Sequence, residues 1–173
     1  EDTMRTEESE LNPLTEYAKS KIAAENDLQQ YANETFTVTC LRFATACGFS
    51  PRLRLDLVLN DFVATALTTG RIEILSDGTP WRPLIHVKDM ARAIEWAVYR
   101  EMGNCGPYLA VNVGSNKWNY QIKELAEGVK NVFGDLDVSI NESAEPDKRS
   151  YQVDFSKFTE IAPNYIPQVT LVE

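Results

Sequence analysis

Apolar residues recur with two different spacings along the chain, and the way the two spacings alternate predicts an α/β protein. Helical spacing of three and four residues is found over about residues 14–33, 58–69, 89–99, 120–133 and, more briefly, 155–161. Short β-branched and aromatic runs predict strands at about 35–43, 71–75, 81–87, 108–113, 138–140 and 151–153. Helices that alternate with strands in this way favour a parallel sheet.

The first helix follows Pro13 and carries an apolar stripe that we expect to face the core. The stripe consists of Tyr17, Lys21, Ala24, Leu28 and Tyr31. A lysine on such a stripe is unfavourable unless its ammonium group has a partner or a function.

The other helices also have expected core-facing stripes. In the helix that begins near Asp89 the stripe is Met90, Ile94, Ala97 and Val98, and in the helix over 120–133 it is Ile122, Leu125, Ala126 and Val129. Gly70 is placed to end the helix over 58–69 in the left-handed conformation.

Tyr17 and Lys21 lie four residues apart, which is about one helical turn, so both side chains share one face. A phenol ordinarily titrates near 10, and an adjacent ammonium favours the phenolate. Such a pair could exchange a proton with a carbinol or carbonyl oxygen. The alternative is a chance tyrosine beside a lysine whose methylene stem follows a partly exposed helix.

Composition excludes several classes of function. A chain of 173 residues is compatible with one domain, and its net charge of −9 argues against general nucleic-acid binding. No apolar run approaches the roughly 18 residues of a membrane span, and no signal peptide is visible. Three widely spaced cysteines (Cys40, Cys47 and Cys105) favour a reducing, cytoplasmic location. With one histidine and no ligand cluster, no metal site is expected.

No glycine-rich turn of the Gly-x-Gly-x-x-Gly kind follows any of the expected strands. Such a turn brings backbone N–H groups up to the pyrophosphate of a dinucleotide. The chain therefore offers no phosphate-cradling segment of its own.

Five segments occur in an order that points to one family. They are Tyr17-x-x-x-Lys21, Leu41-Arg42-Phe43, the run from Trp81 to Asp89, the run from Val111 to Ser115, and the run from Asp147 to Lys157. Each is weak alone, but together they cover nearly the whole chain. The set resembles the extended short-chain dehydrogenase/reductase family, specifically its nucleotide-sugar epimerases and dehydratases.

The resemblance implies the C-terminal part of a doubly wound, Rossmann-like α/β domain with a small α/β substrate-binding subdomain. Residues 1–44 and 86–114 would belong to the Rossmann-like domain, and residues 45–85 and 115–173 to the substrate-binding subdomain. The family's N-terminal NAD(P)-binding half, with its glycine-rich turn and a catalytic Ser or Thr, would be absent. The chain alone is then expected to be inactive, and ligand is expected between the two parts, at the carboxyl ends of the strands.

By resemblance, Tyr17 is the acid/base in transient oxidation of a sugar carbon. Lys21 would assist it and hydrogen-bond the ribose of NAD or NADP, so both residues are catalytic and cofactor-binding candidates. Arg82 matches an arginine that contacts the substrate diphosphate, and Arg149 matches a second one late in the chain. Their alternatives are an arginine stacked beside Trp81 and an ordinary surface charge.

Two further substrate-binding candidates match the positions of the family less directly. Asn60 stands where relatives place an amide near the diphosphate, and its alternative is a helix N-cap. Thr45 stands where many members carry Asn, which puts that substrate contact in doubt.

Three nearby residues have structural interpretations. We expect Cys47 to be a packing residue, His86 to be a satisfied structural histidine, and Asp89 to cap a helix.

The function implied for the complete protein is NAD(P)-dependent epimerisation or dehydration of a nucleotide-diphospho-sugar. Expected partners are that substrate, the N-terminal half and a second copy in a homodimer, without nucleic acid or membrane. One alternative is a reductase of the same family that acts on a keto-sugar or another carbonyl. Another is a non-catalytic relative that only binds ligand.

Overall fold

The computed structural model describes residues 4–144 and 150–173, which form five helices and seven strands. In chain order these are α1 Glu16–Tyr31, β1 Val38–Phe43, β2 Thr45–Cys47, α2 Val58–Thr69, β3 Arg71–Ile74, β4 Trp81–His86, α3 Val87–Tyr99, β5 Tyr108–Val113, β6 Asn119–Gln121, α4 Ile122–Phe133, β7 Asp137–Ile140 and α5 Ser156–Ile161. Short 3-10 turns cover Asn116–Trp118 and Pro163–Tyr165.

The strands pair into three small sheets, and parallel pairing dominates. β1 lies parallel to β5, with Val38 opposite Tyr108 and Phe43 opposite Val113. β4 lies between β2, which is parallel to it, and β6, which is antiparallel. β3 and β7 form a third, parallel pair. The segment that connects the two strands of each parallel pair contains at least one helix, as parallel pairing requires.

Two hydrophobic cores hold the elements together. One joins α2 and α4 to β3 and β4; its most buried members are Ile72, Ile74, Leu125 and Ala126. The other joins β1 and β5 to α3 and α5, where Trp96 and Phe158 meet edge to face at 5.3 Å. Phe155 and Phe158 are buried in this second core, although they lie late in the chain. The assignment of residues to two subdomains stays a prediction.

The helices α2 and α4 confirm their sequence predictions. All four expected core residues of α4 are buried: Ile122, Leu125, Ala126 and Val129. Gly70 ends α2 with a φ of 70°, in the left-handed region that glycine adopts without strain.

The expected stripe of α1 was wrong. No residue of this helix is buried, and Tyr17, Leu28 and Tyr31 are 72%, 42% and 66% exposed. The residues turned towards the sheet are instead Ala18, Ile22 and Glu25, one position along the chain from the predicted stripe. This inner face also contains apolar residues, Ala18 and Ile22, so the periodicity of apolar residues did not distinguish it from the predicted stripe.

The stripe of α3 was wrong in part. Met90 and Ala97 pack against the core, but Ile94 is 49% and Val98 is 72% exposed. The fully buried positions are Asp89, Ala93 and Trp96. The inward face of this helix thus includes a carboxylate, which a purely apolar pattern does not anticipate.

The strand predictions hold for β1, β3, β4, β5 and β7, with three corrections elsewhere. β2 at Thr45–Cys47 was not predicted. β6 at Asn119–Gln121 lies where the helix over 120–133 was expected to begin. Residues 151–153 form no strand beyond an isolated bridge between Arg5 and Val153. No helix in the described ranges is long and apolar enough to cross a membrane.

Candidate functional site

Tyr17 and Lys21 lie side by side on the exposed face of α1. The Lys21 Nζ atom lies 5.3 Å from the centroid of the Tyr17 ring, within the range of a cation–π contact. Thr15 caps the helix just before them, its Oγ1 accepting the Ala18 N–H at 3.1 Å. The pair is adjacent as the four-residue spacing predicts, but within this chain it faces solvent.

Arg54 is the charged group near Tyr17 that the sequence did not indicate. The pKa of Arg54 is raised, first by its hydrogen bonds to Asp56 and, to a lesser degree, by the charge of Tyr17. Its Nε and Nη2 donate to the two Asp56 carboxylate oxygens at 2.7 Å each. The only available signal was the alternation Leu53-Arg54-Leu55, which puts the arginine on the opposite side from two leucines.

Asn60 holds the loop that carries Arg54. Its Oδ1 accepts the Gly48 N–H, and its Nδ2 donates to the Arg54 carbonyl, both at 3.0 Å. The N-cap of α2 is Leu57, so the alternative interpretation, in which Asn60 caps this helix, was wrong. The amide thus attaches two points of the 48–57 loop to α2.

A cavity of about 660 Å³ opens at the carboxyl ends of β2 and β4. Cys47 and His86, the last residues of these parallel strands, line it together with Asn60. Leu53 and Leu55 of the loop also line it. Carboxyl ends of parallel strands are where open α/β sheets bind ligands. Of the predicted site residues, Asn60 lines this cavity, whereas Tyr17, Lys21, Thr45 and Arg82 do not.

The other predicted substrate contacts lie on or beyond the strands. Thr45 begins β2 opposite Leu84 and is half-buried. Arg82 lies in β4, where its Nη1 donates to the Trp81 carbonyl at 2.8 Å. Arg149 lies outside the described residues. The roles of all three stay predictions.

His86 has the structural role that we expected. It is the N-cap of α3, and its Nδ1 accepts the Lys88 N–H at 3.1 Å. Its ring lies against Gly48, where an added Cβ would come within 2.1 Å of Nε2. Gly48 also has a φ of +97°, so both the turn and the approach of the ring require glycine there.

Asp89 does not cap a helix, and that expectation was wrong. It is 1% exposed and occupies the third position of α3. Its Oδ2 accepts the N–H groups of Gln168 and Val169 at 3.0 and 2.9 Å, and its Oδ1 accepts from Arg92 at 3.0 Å. The carboxylate therefore attaches the C-terminal segment to α3.

Stability should depend on the protonation of His86. Burial, and secondarily the charge of Lys88, lower its pKa below the ordinary value of 6.5. Because the unfolded chain then takes up the proton first, stability is lost as the pH falls below about 6.5. Protonation also removes the Nδ1 acceptor that caps α3. We expect the urea midpoint to be lower at about pH 5.5 than at about pH 7.5.

His86→Asn is the matched control, since asparagine is a good N-cap that does not titrate. Its urea midpoint should change much less over the same interval. An equal decrease in both proteins would assign the pH dependence to other groups.

Cys47 is buried at the end of β2, and burial raises the pKa of its thiol to about 11. A protonated thiol in a core is a packing group, which confirms the interpretation from the sequence. No group of three His, Cys, Asp or Glu side chains in residues 4–144 and 150–173 is placed to hold a metal ion.

The sequence matches the NAD dependent epimerase/dehydratase family over residues 1–114. The chain belongs to this family. The resemblance drawn from the five sequence segments is thereby confirmed, and the solved structures that the fold resembles agree with it.

MoeE5, solved with UDP-glucuronic acid and NAD, superposes with a TM-score of 0.80 at 23% identity, over 100% of this chain and 57% of that one. UDP-glucuronic acid 4-epimerase from Bacillus cereus gives a TM-score of 0.78 at 22% identity, over 99% and 54%. The NDP-hexosamine 5,6-dehydratase TunA gives 0.76 at 19% identity, over 98% and 54%.

These likenesses confirm the predicted fold class, an α/β protein with parallel strands of the Rossmann-like kind. The chain spans a little over half the length of these structures.

Proposed function

We propose that this chain is the C-terminal part of an NAD(P)-dependent enzyme that epimerises or dehydrates a nucleotide-diphospho-sugar, with Tyr17 as the acid/base. The observation that carries the proposal is the Tyr17–Lys21 pair, adjacent at 5.3 Å and accessible on α1. Membership of the family supports it. The similar structures with NAD and a UDP-sugar bound are consistent with the same ligand classes.

The exposed face of α1 suits a segment that would cover it in the complete protein. Leu14, Tyr17 and Tyr31 are each about two-thirds or more exposed, which is unusual for side chains with so much apolar surface. An N-terminal half that carries the dinucleotide could pack here and bring its ligand to Tyr17. The pair would then leave solvent and enter a crevice.

The residues present fit one end of a dinucleotide. A phenol and an ammonium can both hydrogen-bond ribose hydroxyls, so Tyr17 and Lys21 could hold the nicotinamide ribose. The chain has no glycine-rich turn for the pyrophosphate. NAD or NADP, when bound, supplies the hydride acceptor and donor.

The chain's own residues would then move the proton and bind the sugar nucleotide. Tyr17 would take the proton of the sugar hydroxyl as the carbon is oxidised and return it afterwards, and Lys21 would stabilise the phenolate between the two events. Arg82 and Arg149 would bind phosphate oxygens through their guanidinium groups. Asn60 would act by holding the 48–57 loop, and Thr45 would lie at the edge of the sugar site.

A second copy of the protein is a further proposed partner, through the outer face of α1. From its polar residues in the sequence, we expect that face to carry Lys19, Glu25, Asn26, Gln29 and Gln30. Of these, Glu25 turns to the sheet and binds Arg42, and the other four are exposed. Sedimentation of the complete protein distinguishes a monomer from a dimer.

The proposal is tested with the complete protein that contains this chain. We expect it to convert a UDP- or dTDP-hexose when NAD is present, with transient absorbance of reduced nicotinamide. NMR of the product distinguishes an epimer from a dehydrated keto-sugar. Net oxidation of NADPH by a keto-sugar would instead support the reductase. Ligand binding without turnover would support the non-catalytic relative.

A further inference from the structure

Helix α1 is tied to the sheet by one bidentate ion pair. Arg42 of β1 donates from Nε to both carboxylate oxygens of Glu25, at 3.0 Å each, and from Nη2 to Oε2 at 2.5 Å. The two side chains are only 23% and 19% exposed. Together the three contacts fix the orientation of the two side chains as well as the distance between them. A hydrophobic contact does not fix orientation.

Other anchors of α1 are weak. The helix has no buried residue. Its remaining side-chain hydrogen bonds in the described chain stay within the helix or its flanks, such as Lys19 to Glu16 and Ser20 to the Tyr17 carbonyl. The Glu25–Arg42 pair is therefore the polar link that determines how α1 sits on β1.

The link continues beyond Arg42 into the rest of the sheet. Arg42 Nη1 donates to the Glu7 carbonyl at 3.3 Å, and Glu7 Oε1 accepts the Asn112 N–H of β5 at 2.8 Å. Glu25 is thus connected through Arg42 and Glu7 to both paired strands. The anchor of the helix is part of a rigid element rather than a mobile side chain.

The neighbouring titratable groups leave the charges of this pair in place. Burial raises the pKa of Cys40 and of Tyr108, and the charge of Glu25 contributes to both shifts. Both groups are therefore neutral near pH 7. The hydrogen bonds that Arg42 donates to Glu25 raise the pKa of Arg42, which stays a cation.

We infer that Glu25 is a positioning residue for Tyr17 and Lys21, and that its ion pair with Arg42 sets the rotation and axial position of α1. This inference rests on the proposed function. Glu25 follows Lys21 by one turn and Tyr17 by two, about 12 Å along the axis. Because a helix moves as a unit, a change at Glu25 displaces both side chains. Misplacement by about 1 Å can lower a rate about 100-fold.

The experiment uses the complete protein with Glu25→Gln, which keeps the shape of the side chain and removes its charge. We expect kcat to fall by about 10- to 100-fold, with KM for the sugar nucleotide within about twofold of the original. Amide exchange of α1 should accelerate while that of α4 does not change. Glu16→Gln is the matched control, since it removes the exposed pair with Lys19 on the same helix. It should leave all these quantities unchanged.

The second test exchanges the two charged residues of the ion pair. Glu25→Arg combined with Arg42→Glu should recover a large part of the kcat that either single change removes. Unchanged kcat in Glu25→Gln, or no recovery in the reversed pair, would overturn the inference. If Tyr17→Phe is inactive while Glu25→Gln is not, only this inference fails. If Tyr17→Phe is fully active, the proposed function fails.

Discussion

Replacing Tyr17 by Phe should lower kcat of the complete protein by about 10³-fold, within the usual range for losing a general acid or base. The change keeps the ring that Lys21 contacts and removes only the hydroxyl. In the described residues that hydroxyl makes no hydrogen bond, so the free energy of unfolding should not change. Steady-state turnover and urea unfolding of the same preparation measure the two effects.

Tyr31→Phe is the control for this prediction. Tyr31 lies on the same helix, is 66% exposed, and loses the same hydroxyl in the change. Its kcat should equal that of the original protein. If Tyr17→Phe binds the sugar nucleotide and turns it over as before, then Tyr17 is not the acid/base. If neither the original protein nor Tyr17→Phe turns over the sugar nucleotide, the interpretation as a ligand-binding relative would gain support.

Replacing Asp89 by Asn should reduce the free energy of unfolding by about 3 kcal/mol, since breaking a buried ion pair on one side leaves the other charge uncompensated. Arg92 also donates to the carbonyls of Ile166 and Asn164 at 3.0 and 2.9 Å, so it is held in place without its partner. The new amide nitrogen would face N–H donors where an acceptor is required. The urea midpoint should fall at constant m-value.

Glu95→Gln is the control, because Glu95 is an exposed carboxylate on the same helix. It should alter the free energy of unfolding by less than about 0.5 kcal/mol. If Asp89→Asn destabilises no more than this control, the contacts of Asp89 with Gln168 and Val169 do not hold the C-terminal segment.

The two predictions come from different kinds of evidence. Tyr17 was found in the sequence, through its spacing from Lys21 and a resemblance over nearly the whole chain. Asp89 was read as a helix cap, because an acidic residue at a strand-to-helix junction is usually one. The backbone N–H groups that donate to it belong to Gln168 and Val169, 79 and 80 residues along the chain, so no local pattern indicates them.

Several parts of the site could be predicted only in part. Asn60 was a site candidate from its place in the sequence, but its attachment of the 48–57 loop was not predictable. The cavity at the ends of β2 and β4 follows from parallel pairing, and β2 itself was missed because three residues are too few for a period of two to show.

The sequence by itself determined most of the order of helices and strands, the family and the adjacency of Tyr17 to Lys21. All three depend on residues close in the chain or on short segments in a fixed order, where geometry is local. Only the tertiary structure decided which face of α1 turns to the sheet. Glu25 and Arg42 are 17 residues apart, and their ion pair lies on the face that turns to the sheet, whereas the predicted apolar stripe is exposed.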